Sequence, residues 1–164
     1  MSKRLTRTIL ALMVVSLVVG VAMAGAQGST REFKATMNGA NDHTTSKGKG
    51  SATFEFSSTG KSIHYTVRAT GLTGAVQAAH LHFGSKSTRS GPVVVAICPG
   101  PCTLPKSGTL TAKNFNKQQT NVKSFSAVLS AARSGRIYVN VHTKANPGGE
   151  IRGQLVRDTS GNDG

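Results

Sequence analysis

Apolar and polar residues alternate with period two along much of this chain, and that rhythm predicts strands. Phe33, Ala35 and Met37 alternate with Glu32, Lys34 and Thr36, so 32–37 reads as a strand with one buried face. Ala52, Phe54 and Phe56 alternate with Thr53 and Glu55, and Ile63, Tyr65, Val67 and Ala69 resume the pattern after Ser57-Ser58-Thr59-Gly60. Two strands joined by such turn residues predict a hairpin. Gly71 and Gly74 mark the next turn, ahead of a strand over 76–83. The continuous apolar run 93–97, opened by Gly91-Pro92, predicts a strand buried on both faces. A short strand is expected over 109–112. Ile137, Val139 and Val141 then alternate strictly, Asn146-Pro147-Gly148-Gly149 makes a tight turn, and 151–156 closes the fold. One segment breaks the rhythm. Val122, Phe125, Val128, Leu129 and Ala132 recur at helical spacing and predict a short helix with Gly135 as its stop.

Many short strands, Gly-rich turns and one short helix predict an all-β fold, an antiparallel Greek-key β-sandwich (immunoglobulin-like or superoxide-dismutase-like) or a Greek-key barrel. The N-terminus lies outside this pattern. Lys3, Arg4 and Arg7 precede an uncharged apolar run over 9–24, and the Ala22-Met23-Ala24 and Ala24-Gly25-Ala26 triplets offer cleavage sites, so 1–26 reads as a signal peptide. An uncleaved anchor helix is the alternative, although the run is shorter than the ~20 residues a membrane span needs. One domain is expected over 27–156, with no later segment able to cross a bilayer and a disordered tail over 157–164. The expected location is secreted, periplasmic or at the cell surface.

The formal charge of +14, from 20 Lys and Arg against 6 Asp and Glu, favours an anionic surface polymer or an extracellular protein as partner. The basic residues are scattered, Trp is absent, and aromatics do not interleave with them, which argues against nucleic acid. The two cysteines, in Cys98-Pro-Gly-Pro-Cys102, read as a structural disulfide in an exported chain. The spacing is not that of a C-x-x-C redox motif.

His80 and His82 are two apart on a predicted strand and so share a face, opposite Ala79, Leu81 and Phe83. His142 shares the outward parity of Tyr138 and Asn140, and His64 alternates against Ile63 and Tyr65. Three imidazoles, His80, His82 and His142, with His64 as a fourth, are candidate ligands for copper or zinc on the outside of the fold. His43 lies in a polar turn and is given no role. No catalytic carboxylate pair or Ser-His-Asp arrangement is visible. Glu150, two residues before Arg152 on the last strand, is expected to form a structural ion pair with it on the same face.

The blocks Ala79-His80-Leu81-His82-Phe83-Gly84, Gly91-Pro92-Val93-Val94-Val95, Tyr138-Val139-Asn140-Val141-His142-Thr143 and Pro147-Gly148-Gly149-Glu150-Ile151-Arg152-Gly153-Gln154-Leu155 resemble the CHRD (chordin-type) domain. The resemblance runs from about Phe33 to Val156 and implies a binding or structural module rather than an activity. A weaker similarity is to copper/zinc superoxide dismutase, a Greek-key sandwich with an H-x-H pair on one strand and a later copper-ligand histidine, matched here by His80, His82 and His142. No histidine lies between His82 and His142, so the bridging histidine and the zinc-binding loop of that family have no counterpart. What that similarity implies is a copper-only or open three-histidine site, with a superoxide-dismutase-like copper enzyme as one alternative to the module; a basic adhesin for anionic cell-wall or matrix polymers, resting on the positive charge, is the other.

Overall fold

The computed structural model of the chain describes residues 31–160. The signal peptide read over 1–26 therefore lies outside the described residues. Nine strands form one antiparallel sheet: β1 (Glu32–Asn38), β2 (Lys49–Phe56), β3 (Ile63–Thr70), β4 (Val76–Phe83), β5 (Val93–Cys98), β6 (Lys106–Leu110), β7 (Ile137–Thr143), β8 (Ile151–Gln154) and β9 (Val156–Arg157). Their order is β5-β4-β7-β8-β1-β2-β3-β6, with β9 pairing β1. The all-β, antiparallel expectation holds, and the layers are parts of one nearly closed, barrel-like sheet. Phe115 bridges Val95, and the Asn116 side chain donates to the Val93 carbonyl at 3.0 Å, so the segment following β6 covers the free edge of β5. An edge strand left bare would invite pairing with another chain.

Alternation places the core where the sequence does. Phe33, Ala35, Met37, Ala52, Phe54, Phe56, Ile63 and Val67 are buried from β1, β2 and β3, and Leu81, Val94, Val139, Val141 and Ile151 meet them from the other strands. The β2–β3 register is unbroken from Lys49↔Thr70 to Phe56↔Ile63. The Ser57 hydroxyl accepts from the Lys61 and Ser62 amides at 3.1 Å each and closes the turn. Among the described residues no helix is long and apolar enough to cross a membrane.

Three boundaries differ from the sequence reading. The helix, α1, spans only Val128–Arg133. Upstream, the Ser124 hydroxyl accepts from the Ala127 amide at 3.3 Å, and the Gln119 amide group donates to the Val122 carbonyl and accepts from its amide nitrogen. These local bonds offer the backbone an alternative to a helix, while Val122 and Phe125 still reach the core. The strand expected over 109–112 lies at Lys106–Leu110, because Thr111 and Asn114 cap a 3-10 turn in a reciprocal capping box. Residues 157–160 are not a free tail: Arg157 pairs with Phe33, the Asp158 amide donates to the Glu32 carbonyl at 3.0 Å, and Lys34 forms an ion pair with Asp158 at 2.5 Å.

The outer face of β4, β7 and β8 also departs from expectation. Tyr138, Asn140 and Arg152 were expected to face solvent, yet they are 1%, 3% and 2% exposed. The loop between β4 and β5 folds over Tyr138 and Arg152, and Asp42 meets Asn140. Arg152 donates to the carbonyls of Thr88 at 2.7 Å and Ser85 at 3.1 Å, and its guanidinium carbon lies 3.6 Å from the centre of the Tyr138 ring. A thin polar layer is thus buried against the outside of the sheet.

Candidate metal centre

His80, His82 and His142 meet within this layer. In the β4–β7 ladder Ala78 faces His142 and His80 faces Asn140, so His142 reaches His80 as a diagonal neighbour. A register shift between Val76 and Ala78 tightens the ladder beside them. The Nδ1 of His80 stands 3.3 Å from the Nε2 of His142. Ring centroids are 5.6 Å apart for His80–His82, 5.0 Å for His80–His142 and 5.6 Å for His82–His142. One nitrogen from each ring lies within 4.8 Å of the other two, and the three could hold one metal ion.

Two of the rings are oriented through their far nitrogens. His82 donates from Nδ1 to the Gly91 carbonyl at 2.9 Å, and His142 donates from Nδ1 to the Pro147 carbonyl at 3.0 Å. A carbonyl only accepts, so each bond places the proton on Nδ1 and leaves Nε2 with its lone pair. Backbone carbonyls on the remote nitrogen are the usual supports of metal-ligating histidines. The Nε2 of His82 is buried with no hydrogen-bond partner. An orphaned polar atom of this kind has a cost of about 1–3 kcal/mol and calls for an explanation.

Charge is tuned in the same direction. Burial, then the neighbouring His142, lowers the pKa of His80 to about 4. Burial also lowers that of His82 to about 4, against the Gly91 hydrogen bond and with help from the positive charges of His142, His80 and Arg152. His142 is lowered by burial, partly opposed by its bond to Pro147. All three imidazoles are therefore neutral ligands at pH 7.

The support is built from residues to which the sequence reading gave no part in the site. Tyr138 stacks on His82 with ring centroids 5.0 Å apart and planes 10° apart, and its hydroxyl accepts from the Gly91 amide at 3.0 Å. Gly91 is bound on both sides, and a Cβ there would lie 1.8 Å from the Phe83 carbonyl oxygen, so only glycine can make this approach. Asn140 donates to Asp42 at 3.4 Å, and burial, opposed by Arg152 and by that bond, raises the Asp42 pKa to about 6. The shared parity of Tyr138, Asn140 and His142 was the one sequence signal for this shell; the loop that seals it is a long-range contact with no local pattern.

His64 is not brought to the cluster. It lies on β3, separated from β4 by β7, β8, β1 and β2 in the sheet, and its Nδ1 bonds the Thr109 hydroxyl at 3.0 Å. The Glu150–Arg152 ion pair does not form. Glu150 is fully buried and accepts from Ser46 at 2.7 Å, from the Thr73 amide and hydroxyl at 2.8 and 2.9 Å, and from Thr143, whereas Arg152 is spent on loop carbonyls and the Tyr138 ring. Glu150 precedes the first residue of β8, so the parity that placed both residues on one face does not reach it. Cys98 and Cys102 are at disulfide-bonding distance, with Cα atoms 6.4 Å apart, and the Cys102 amide docks on the Val76 carbonyl at the start of β4.

The fold and its buried histidine layer define an antiparallel all-β domain with a candidate metal-binding face. The CHRD domain model matches residues 33–155, and the chain belongs to the CHRD family. Comparison with curated proteins gives no match.

Proposed function

We propose that this protein is an exported CHRD-domain module that binds one copper or zinc ion through His80, His82 and His142. The observation that carries the reading is the buried, unpartnered Nε2 of His82 beside His80 and His142, with one nitrogen from each ring within 4.8 Å of the other two. A set of neutral imidazoles without thiolate suits copper and zinc, and the general affinity order places copper first. Export is supported by the charged start and apolar run of the leader and by the paired cysteines. His80 and His142 are only half-buried, so a bound ion keeps a side toward solvent. Three protein ligands with an open position is the pattern of reactive metal sites, which favours a superoxide-dismutase-like copper enzyme as the second reading.

Calorimetric titration of the mature protein with Cu(II) and Zn(II) tests the proposal. One equivalent binds to the native chain, and the His80→Ala/His82→Ala variant loses that binding. Equal binding by both proteins would refute the site. Superoxide consumption by the copper-loaded protein, lost in His142→Ala, would establish the enzymatic reading; a fully loaded, folded and inactive protein would dispose of it.

A further inference from the structure

A second site lies on the same outer face of the sheet, independent of the metal reading. A cleft of about 430 Å³ opens over β1 and β8, within the size range of small-molecule sites. Its walls carry Arg152, Lys86 and His43 and no carboxylate. Asp42, which stands between two lining residues in the chain, turns instead to Asn140. Arg152 is 2% exposed, and its guanidinium, bonded to the carbonyls of Thr88, Arg89 and Ser85, is a buried positive charge beside the cleft. Lys86 projects from the loop that Arg152 holds down.

The rest of the lining is of a different kind. Asn38 accepts from the Asn41 amide through Oδ1 at 2.8 Å, which leaves its NH2 group free to donate, and Asn41 uses its own NH2 on the Arg152 carbonyl at 3.2 Å, which leaves its Oδ1 free to accept. Val156, 52% exposed, is the one exposed large hydrophobic side chain among the described residues, and it forms part of the same cleft. His43 is held at φ 58, in the left-handed region that non-glycine residues rarely adopt. Strain of this kind collects at functional positions, and here it sets an exposed imidazole on the rim.

Cations without a carboxylate, an amide donor beside an amide acceptor, and one exposed aliphatic surface match a ring that bears an acid, hydroxyls and C–H faces. We propose that this cleft binds an acidic saccharide, with Lys86 meeting its carboxylate or sulfate over the buried positive charge of Arg152, Asn38 and Asn41 its hydroxyls, and Val156 an apolar ring face. The strong positive charge of the chain draws such a ligand from a distance; the cleft gives it a place.

Binding of oligogalacturonate (carboxylate), heparin-derived oligosaccharide (sulfate) and neutral dextran to the mature chain tests this, with chelator present so that the outcome does not depend on metal. The native protein binds at least one acidic oligosaccharide and not dextran; whichever of the two binds more tightly identifies the acid group. Lys86→Glu weakens that binding by about tenfold or more, the loss of roughly one interaction of 1.4 kcal/mol. The same charge change at Lys61→Glu, in the β2–β3 turn, alters it less than about twofold, as expected of a distant screened charge. His43→Gly lowers affinity without lowering thermal stability, because glycine adopts a positive φ at no steric cost. Equal losses at Lys86 and Lys61 would reduce the effect to diffuse charge and overturn the site, as would failure of both acidic ligands to bind.

Discussion

The two halves of the sheet treat their outer faces differently. Across β2 and β3 the outer face is wet: Thr53, Glu55, His64 and Arg68 stand exposed opposite a core of Phe54, Phe56, Tyr65 and Val67. Across β4, β7 and β8 the outward positions hold His82, Tyr138 and Arg152, buried under the β4–β5 loop, and Asn140, buried against Asp42. Alternation is the same in both halves. What differs is the cover, and covering polar groups is costly unless each finds a partner. Most do: Arg152 takes loop carbonyls, Tyr138 takes Gly91, and Glu150, beside this layer, takes a ring of hydroxyl and amide donors. The Nε2 of His82, the Oδ1 of Asn140, the Oδ2 of Asp42 and the Oε1 of Gln154 do not, and of these the His82 nitrogen, beside two further imidazoles, marks the candidate metal centre.

The comparison is most easily broken by removing its buried charges. Arg152→Ala should destabilise the fold by roughly 3–5 kcal/mol, since it strips the β4–β5 loop of its anchor and leaves several carbonyls unpaired. His64→Ala on the wet half should stay within about 0.5 kcal/mol, as exposed substitutions do. Urea unfolding of both variants measures the contrast; similar midpoints would mean that the buried layer contributes nothing special.

Acid should expose the same asymmetry. The folded-state pKa values of His80 and His82 lie near 4, below the ordinary 6.5, so the fold prefers them neutral. Their stabilising contribution is complete above pH 6.5 and is lost as pH falls toward 4, less for the half-buried His80, which solvent screens, than for His82. Glu150 behaves as a carboxylate held low: burial alone would raise its pKa, but bonds from Ser46, Thr143 and Thr73 bring it to about 2. Its contribution, about 3 kcal/mol, is present above pH 4.5 and fades only between there and pH 2. Asp42, whose pKa burial raises to about 6, gains stability over the same window, so the histidine loss is read as a difference: His80→Gln/His82→Gln should lose less stability than the metal-free native chain between pH 6.5 and 4. Equal losses by the native chain and the variant over that window would contradict the burial of these rings.

A smaller effect sharpens the link between cover and site. Tyr138→Phe keeps the stack on His82 and removes the hydroxyl that receives the Gly91 amide, at a cost of about 1 kcal/mol. Because Gly91 also orients His82, metal affinity should fall while the CD spectrum stays unchanged. Unaltered affinity would show that the loop covers the site without positioning it.

This contrast also explains how much could be read from the sequence. The strands, most of the core and the shared face of His80, His82 and His142 follow from period-two alternation, which reports backbone geometry directly. Alternation says nothing about what lies over a face. The burial of Tyr138 and Arg152, the separate fates of Glu150 and Arg152, and the cleft beside His43 all depend on contacts spanning tens of residues. The helix expected over 122–132 forms only from Val128, for the opposite reason: short-range bonds from Ser124 and Gln119 outcompete a correct hydrophobic period before it.

The most direct test of the histidine centre is anomalous diffraction from crystals of the mature protein soaked in copper or zinc. A metal held by the triad predicts one strong peak about 2.0–2.1 Å from a nitrogen of each of His80, His82 and His142. A peak at His64 or His43 instead, or none near the triad in a crystal that binds metal elsewhere, would contradict it.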